Sequence, residues 1–331
     1  MNYRTQRKRM ETILNITNGD CAVKIMKEAG IPGKFLPWRD VLHDGPVPIG
    51  LTLEKLSEVR AQFIIDRGWG EPGEIKNSFA DRDRELHSFR NYSKVILWFE
   101  HDLYDQLQLL QILDWFAENQ PETTKLSIIC TGQYLGMATP EQIIELIQCE
   151  DIVTEKHLVL AKKAWAAFRS PSPEEWQQLL HDDTSALPFL DDAIFRLLEE
   201  YPDCKSGLFR TAQKALDIIA KGEKRPWKLF GKYQCTEEKR FMGDSSFWVI
   251  LQQLLASNPA LIKLAPGKQL TLPARPDQEL SITSAGEKVL AGEWNWLDML
   301  VLDRWIGGVH LTQENVWCWN PDSRVLKKRA S

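Results

Sequence analysis

The chain has 331 residues, a formal net charge of −5, and 43% hydrophobic and 26% charged residues. That length calls for more than one domain, and that balance for a folded globular chain. No apolar run is long enough to cross a bilayer, no apolar stretch follows the opening MNYRTQRKRM, and six scattered cysteines form no CxxC pair; a membrane span, a secretory signal, a zinc ribbon and a disulfide framework are not expected, and the cytoplasm is the expected compartment.

Residues 1–10, with Arg4, Arg7, Lys8 and Arg9, read as a disordered basic tail. Residues 13–17 read as a first strand ending in Asn18-Gly19-Asp20, a turn signal that also suits a helix start. A short helix over 21–29 stops at Gly30, and 34–37 is a second strand. The stretch WRDVLHDGPVPIG (38–50) holds two prolines and two glycines and is expected as an ordered loop. Residues 51–67 and 74–89 are amphipathic helices with charged outer faces. The apolar run 94–99 is the third strand; it breaks at Glu100-His101-Asp102, and Asp102 caps a long helix with Asp105 at its third position, much like a capping box. Residues 126–130 form a fourth strand ending at Thr131-Gly132, and Thr139-Pro140-Glu141 opens the next helix. Strand–helix alternation over 11–150 predicts a Rossmann-like parallel sheet with helices on its faces. Neither GxGxxG nor GxxxxGK[ST] occurs, so a standard dinucleotide or P-loop site is disfavoured.

Residues 151–204 read as a helical connector, with helices over 154–169, 174–180 and 191–200. From 205 to 331 the pattern becomes three helices (211–220, 226–233, 244–256), a hairpin of 261–264 with 280–283, a helix over 285–291, and a last β-hairpin within GGVHLTQENVWCWNPDS. Three helices and a two-stranded wing describe a winged-helix-like α+β domain.

In a doubly wound sheet the carboxyl ends of neighbouring strands share one edge. Residues far apart in sequence are therefore predicted to meet in one acidic cleft. Asp20, Arg39, Asp40, His43, Glu100 and His101 are the candidate catalytic groups; Asn18, Arg39, Asp44, Asp102 and Asp105 are candidate substrate contacts. Asp40, Glu100 and Asp102 are the candidate ligands of a divalent cation such as magnesium, which would orient a water. The same groups suit metal-free acid–base work if burial and like charge separate their proton affinities. Plainer roles fit the same residues: Asp20 and Asp102 as helix caps, Arg39 with Asp40 or Glu100 as an ion pair, and His101 as a core histidine.

Charge divides the chain. Residues 11–150 carry 22 acids against 13 bases, whereas 206–331 carry 13 acids against 18 bases. Lys221, Lys224, Arg225, Lys228 and Lys232 make the rear basic patch a candidate nucleic-acid surface, or one that docks on the acidic front. The third helix of the rear unit, SSFWVILQQLLAS, holds no lysine or arginine. It therefore lacks the cationic side chains a recognition helix brings to bases and phosphates, and its Phe247, Trp248, Ile250, Leu251, Leu254 and Leu255 read as core or interface.

The stretches ITNGD (16–20), LPWRDVLHDGPVP (36–48), LWFEHDLYDQLQLLQILDWF (97–116), DTSALPFL (183–190), GDSSFW (243–248) and RWIGGVHLT (304–312) resemble the bacterial domain of unknown function 1835 family over nearly the whole chain. The resemblance implies a similar front and trailing part and carries no activity with it. Two functions follow as expectations. One is metal-assisted hydrolysis or transfer on a phosphorylated or nucleotide-like substrate in the front cleft. The other is a non-catalytic, ligand-sensing regulator whose winged-helix-like part contacts nucleic acid or a protein partner. Oligomeric state and substrate stay open.

Overall fold

A computed structural model describes residues 12–120, 122–267, 269–272 and 274–329; the basic tail expected over 1–10 lies outside them. The front begins with β1 (Ile13–Thr17), α1 (Asp20–Glu28), β2 (Lys34–Pro37) and the two-residue β3 (Gly45–Pro46). The helices α2 (Leu53–Asp66) and α3 (Pro72–His87) form a hairpin before β4 (Lys94–Glu100) and α4 (Leu103–Glu118). Then come β5 (Lys125–Thr131), α5 (Pro140–Leu146) and β6 (Asp151–Ile152). The sheet order is β2-β1-β4-β5-β6, parallel except for β6.

The apolar run of β4 fits a strand covered on both faces. Val95, Leu97 and Phe99 face one side with Leu14, Ile16 and the helix α4, while Ile96 and Trp98 face the other with Ala22, Met26 and Ile129. Period-two alternation sends successive side chains into two different cores.

The chain continues through α6 (Glu155–Arg169), α7 (Glu174–Gln178) and α8 (Leu190–Leu198); α6 and α8 pack with α4, and α7 packs with α6 and α8. The rear holds α9 (Arg210–Ala220), α10 (Pro226–Gln234), α11 (Asp244–Ala256), an antiparallel pair of β7 (Ile262–Ala265) and β8 (Glu279–Ile282), and α12 (Ser284–Leu290). The tail differs from the single hairpin expected. It forms two: β9 (Arg304–Gly307) with β10 (Val309–Leu311), and β11 (Trp317–Asn320) with β12 (Val325–Lys328).

The front loop is the reason β9 exists as a strand in this place. It pairs parallel with β3, Gly45 opposite Ile306, so that the chain's tail extends a sheet begun before α2. Close passage demands glycine here. A Cβ on Gly307 would lie 2.3 Å from the Phe168 carbonyl oxygen, and one on Gly308 would lie 1.9 Å from that of Arg169. One buried cluster accordingly runs from Leu14 to Leu326. Among the described residues, no helix is long and apolar enough to cross a membrane.

A charged network joins α8, α9, β9 and the segment 237–238. Arg196 pairs with Glu200 at 2.9 Å and Glu237 at 2.7 Å, and Arg304 reaches Glu200 at 2.8 Å. Burial opposes the Glu200 charge, yet Arg196 and Arg304 hold its carboxyl down to about 2.

The loop 38–48 is anchored by a second buried pair. Arg60 of α2 is fully buried; its Nε donates to Asp40 at 3.0 Å, and its other nitrogens donate to the carbonyls of Pro46 and Val41. A helix face expected to meet solvent thus carries an inward arginine. Arg60→Met or Asp40→Ala should each lower stability by about 3–5 kcal/mol, since each leaves an unpaired buried group. The double replacement should recover part of that loss, read from urea midpoints. Near-wild-type single variants would remove the pair as the loop's anchor.

Candidate functional site

The parallel sheet reverses its winding between β1 and β4, where α1 leaves to one face and α4 to the other. That switch point opens a crevice at the strands' carboxyl ends. Asn18 follows β1, and Glu100 ends β4 opposite Thr131 of β5. Glu100, Asp102 and Asp105 converge there, each offering an oxygen within 4.8 Å of the others, and all three are buried.

Local structure sets their positions. Asp102 caps α4, its Oδ1 accepting from the Tyr104 and Asp105 amides at 2.9 and 3.2 Å. Asp105 occupies the capping-box position but reaches two residues further back than the N-cap, accepting from the Glu100 amide at 2.7 Å. Asn18 Nδ2 donates to Glu100 Oε1 and to Asp105 Oδ2, both at 2.9 Å. The Leu135 amide donates to the same Glu100 oxygen at 2.8 Å. Both Asp105 oxygens are thereby engaged, whereas these bonds use one oxygen each of Glu100 and Asp102.

Crowding three acids in a dry place favours their protonated forms. Burial pushes Asp102 up to about 7, with the Glu100 charge adding to it. Burial also raises Glu100, and burial with the Asp102 and Glu100 charges raises Asp105 well above the usual carboxylate range. No family model matches the chain, and no curated protein matches it. The reading of the site therefore stands on its geometry.

The rear of the chain closes over this edge. His101 is buried beside the rings of Tyr134 (5.0 Å) and Phe189 (5.8 Å), and its Nδ1 has no hydrogen-bond partner. Burial and the Lys239 charge lower its proton affinity. Lys239 lies 5.0 Å from the Phe189 ring and pairs with Asp192 at 2.5 Å. The Arg240 amide donates to the Tyr134 hydroxyl at 2.6 Å. Sequence patterns did not place Lys239, Tyr134 or Phe189 at this site; they belong to three separate segments with no shared spacing.

Other expected members lie elsewhere. Asp20 and Arg39 form an exposed bidentate pair at 2.6 and 2.7 Å, which lowers the Asp20 carboxyl and raises the Arg39 guanidinium in proton affinity. Arg39 adopts a left-handed backbone, φ 57°. Asp40 does not join Glu100 and Asp102 as a ligand set, because it is enclosed with Arg60 and its backbone carbonyl accepts from Gln108 at 2.8 Å. His43 is buried against Phe241 at 5.0 Å, and burial pulls its imidazole down to about 4. With Asp44 it lines a cavity of about 20 Å³ shared with Arg67, Ser246, Val249 and Gln253. The single cleft joining all ten residues is therefore replaced by a smaller group: Asn18, Glu100, Asp102 and Asp105, with His101 beside it.

A larger groove of about 640 Å³ runs between α2 and α3, lined by Ser57, Phe79, Asp83 and His87 among others. Several of its polar groups are paired: Arg82 bonds Asp83 and Ser57, and His87 pairs with Glu54.

Asp102 keeps its proton to about pH 7 when folded but, at its ordinary value of 3.8, only to about pH 4 when unfolded. The folded state binds more protons in that window, so this group's contribution falls as pH rises from about 4 to 7. Asp102→Asn keeps a capping acceptor and removes the titration. It should leave stability similar near pH 4 and raise it by roughly 3–4 kcal/mol at pH 8. Guanidinium unfolding at both pH values checks this; equal loss at both would make Asp102 a purely structural cap.

Proposed function

We propose that the switch-point crevice binds a divalent cation through Glu100 and Asp102 and acts on a phosphorylated or nucleotide-like substrate by hydrolysis or group transfer. The observation that carries this reading is the convergence of three buried acids, two of them bridged by Asn18, at the crevice where open α/β sheets bind ligands. Asp105, with both oxygens engaged, positions the site. Glu100 and Asp102 would hold the cation. Two carboxylates suit magnesium, which retains waters and takes further oxygens from substrate phosphates. When bound, such a cation lowers the pKa of a water and neutralises charge on a phosphoryl group. Lys239, whose charge reaches both His101 and Asp102, supplies the fixed cation beside the substrate. The rear unit of three helices and the β7–β8 hairpin is read as winged-helix-like, with the segment 237–242 joining it to the crevice.

Cation binding to protonated acids must release protons. Titration calorimetry with Mg²⁺ and Mn²⁺ at pH 6 in buffers of different ionisation enthalpy should show one site and proton release. Saturating cation should also raise the melting temperature, as about 2.7 kcal/mol at a hundredfold excess over Kd requires. Glu100→Gln should remove both effects while retaining the fold. Absence of binding at millimolar cation, or unchanged binding in Glu100→Gln, would overturn the proposal. A screen of phosphomonoesters and nucleotides with the cation present then tests turnover.

A further inference from the structure

Residues 221–232 of the rear unit carry a different kind of surface. Residues 221–232 hold five cations and one acid, Glu223. That acid is buried and already paired, with Lys232 at 2.7 Å and Arg225 at 3.5 Å. Lys221 pairs with Asp217 on the surface. In their midst stands Trp227, 51% exposed, in a protein whose Trp38, Trp98, Trp176 and Trp296 are at most 2% exposed. Its indole makes no core. Instead the Arg225 guanidinium lies 5.5 Å and the Lys228 ammonium 5.1 Å from its ring. The platform is rigidly seated: Leu280 of β8 donates its amide to the Lys224 carbonyl at 2.7 Å, and Leu229 and Tyr233 bury the inner side of α10.

We propose that this outer face of α10 binds single-stranded nucleic acid, one base stacking on Trp227 while Lys224, Arg225 and Lys228 contact flanking phosphates. An exposed aromatic face among mobile cations is the chemistry that holds unpaired bases and their backbone together. Groove reading by α11 is not available as the alternative. That helix lacks lysine and arginine, buries Phe247, Trp248, Ile250, Leu251 and Leu254, and turns Ser246, Val249 and Gln253 towards the cavity beside His43. Its residues are none of those at the acidic crevice, and the inference does not depend on the reading of that site.

The test is fluorescence anisotropy of the full chain with a labelled dT 15-mer and with a labelled duplex, from 25 to 300 mM salt. Single strands should bind more tightly than duplex, with affinity falling steeply as salt rises. Lys224→Gln/Arg225→Gln/Lys228→Gln should make the log–log salt slope shallower by about 2, at roughly 0.7 per neutralised phosphate. Trp227→Ala should weaken binding by about 5- to 150-fold with the slope unchanged, and Trp227→Phe should restore most of it. Circular dichroism confirms that these surface variants remain folded. No binding at 25 mM salt, binding indifferent to Trp227, or a preference for duplex would each overturn the proposal.

Discussion

Much of the molecule hangs on the buried Arg60–Asp40 pair. It fixes the loop 38–48, and that loop touches nearly every other part. Trp38 donates to Gln111 of α4 at 2.8 Å, Gln108 of α4 donates to the Asp40 carbonyl, and Arg169 at the end of α6 donates to the Pro48 carbonyl at 2.8 Å. The loop also lends β3 to β9 and sets His43 against Phe241. A charge pair removed from water contributes little net stability compared with apolar packing. What it does is forbid alternatives: with five guanidinium donors in a planar fork, only one loop path presents the Asp40 carboxylate and two carbonyls together.

The crevice is built on the opposite principle. Its acids are brought together without a matching cation among their hydrogen-bond partners, so the fold holds them near one another against their mutual repulsion. Asn18, the cap of α4 and the Leu135 amide supply the donors that make this tolerable. Local rules are broken here while the surrounding sheet obeys them, a pattern expected where a site and not packing dictates the residues. The segment 237–242 then brings Lys239 and Arg240 to the rim, so that the edge of the front sheet is finished by the rear of the chain.

The four parallel strands were legible because each is a short apolar run ended by a turn or an acid, and covered on both faces. The caps at Asp102 and Thr139 were legible because their chemistry is local, and both make the expected bonds. The membership of the site was less so. Nothing in the spacing distinguishes Asp40, which faces Arg60, from Asp102, which faces Glu100; each partner is chosen by tertiary packing. Arg60 looked like part of a solvated helix face, and the polar residues of α4 gave no sign that Gln106, Gln108 and Gln111 are buried. The pairing of β3 with β9 was invisible for a simpler reason, since a two-residue strand has no pattern of its own.

That pairing has a consequence for how the protein is made. Gly45 leaves the ribosome about 260 residues before its partner Ile306 is synthesised. Throughout translation the front sheet can assemble with one loop edge still waiting, its amides served by water. Only when the Gly307–Gly308 turn slides past the end of α6 does the Val47 amide meet the Gly307 carbonyl and the Gly308 amide meet that of Phe168. The segment 304–308 therefore acts as a latch on the loop 38–48, and a nascent chain released before that segment is made carries an open edge that other chains can occupy.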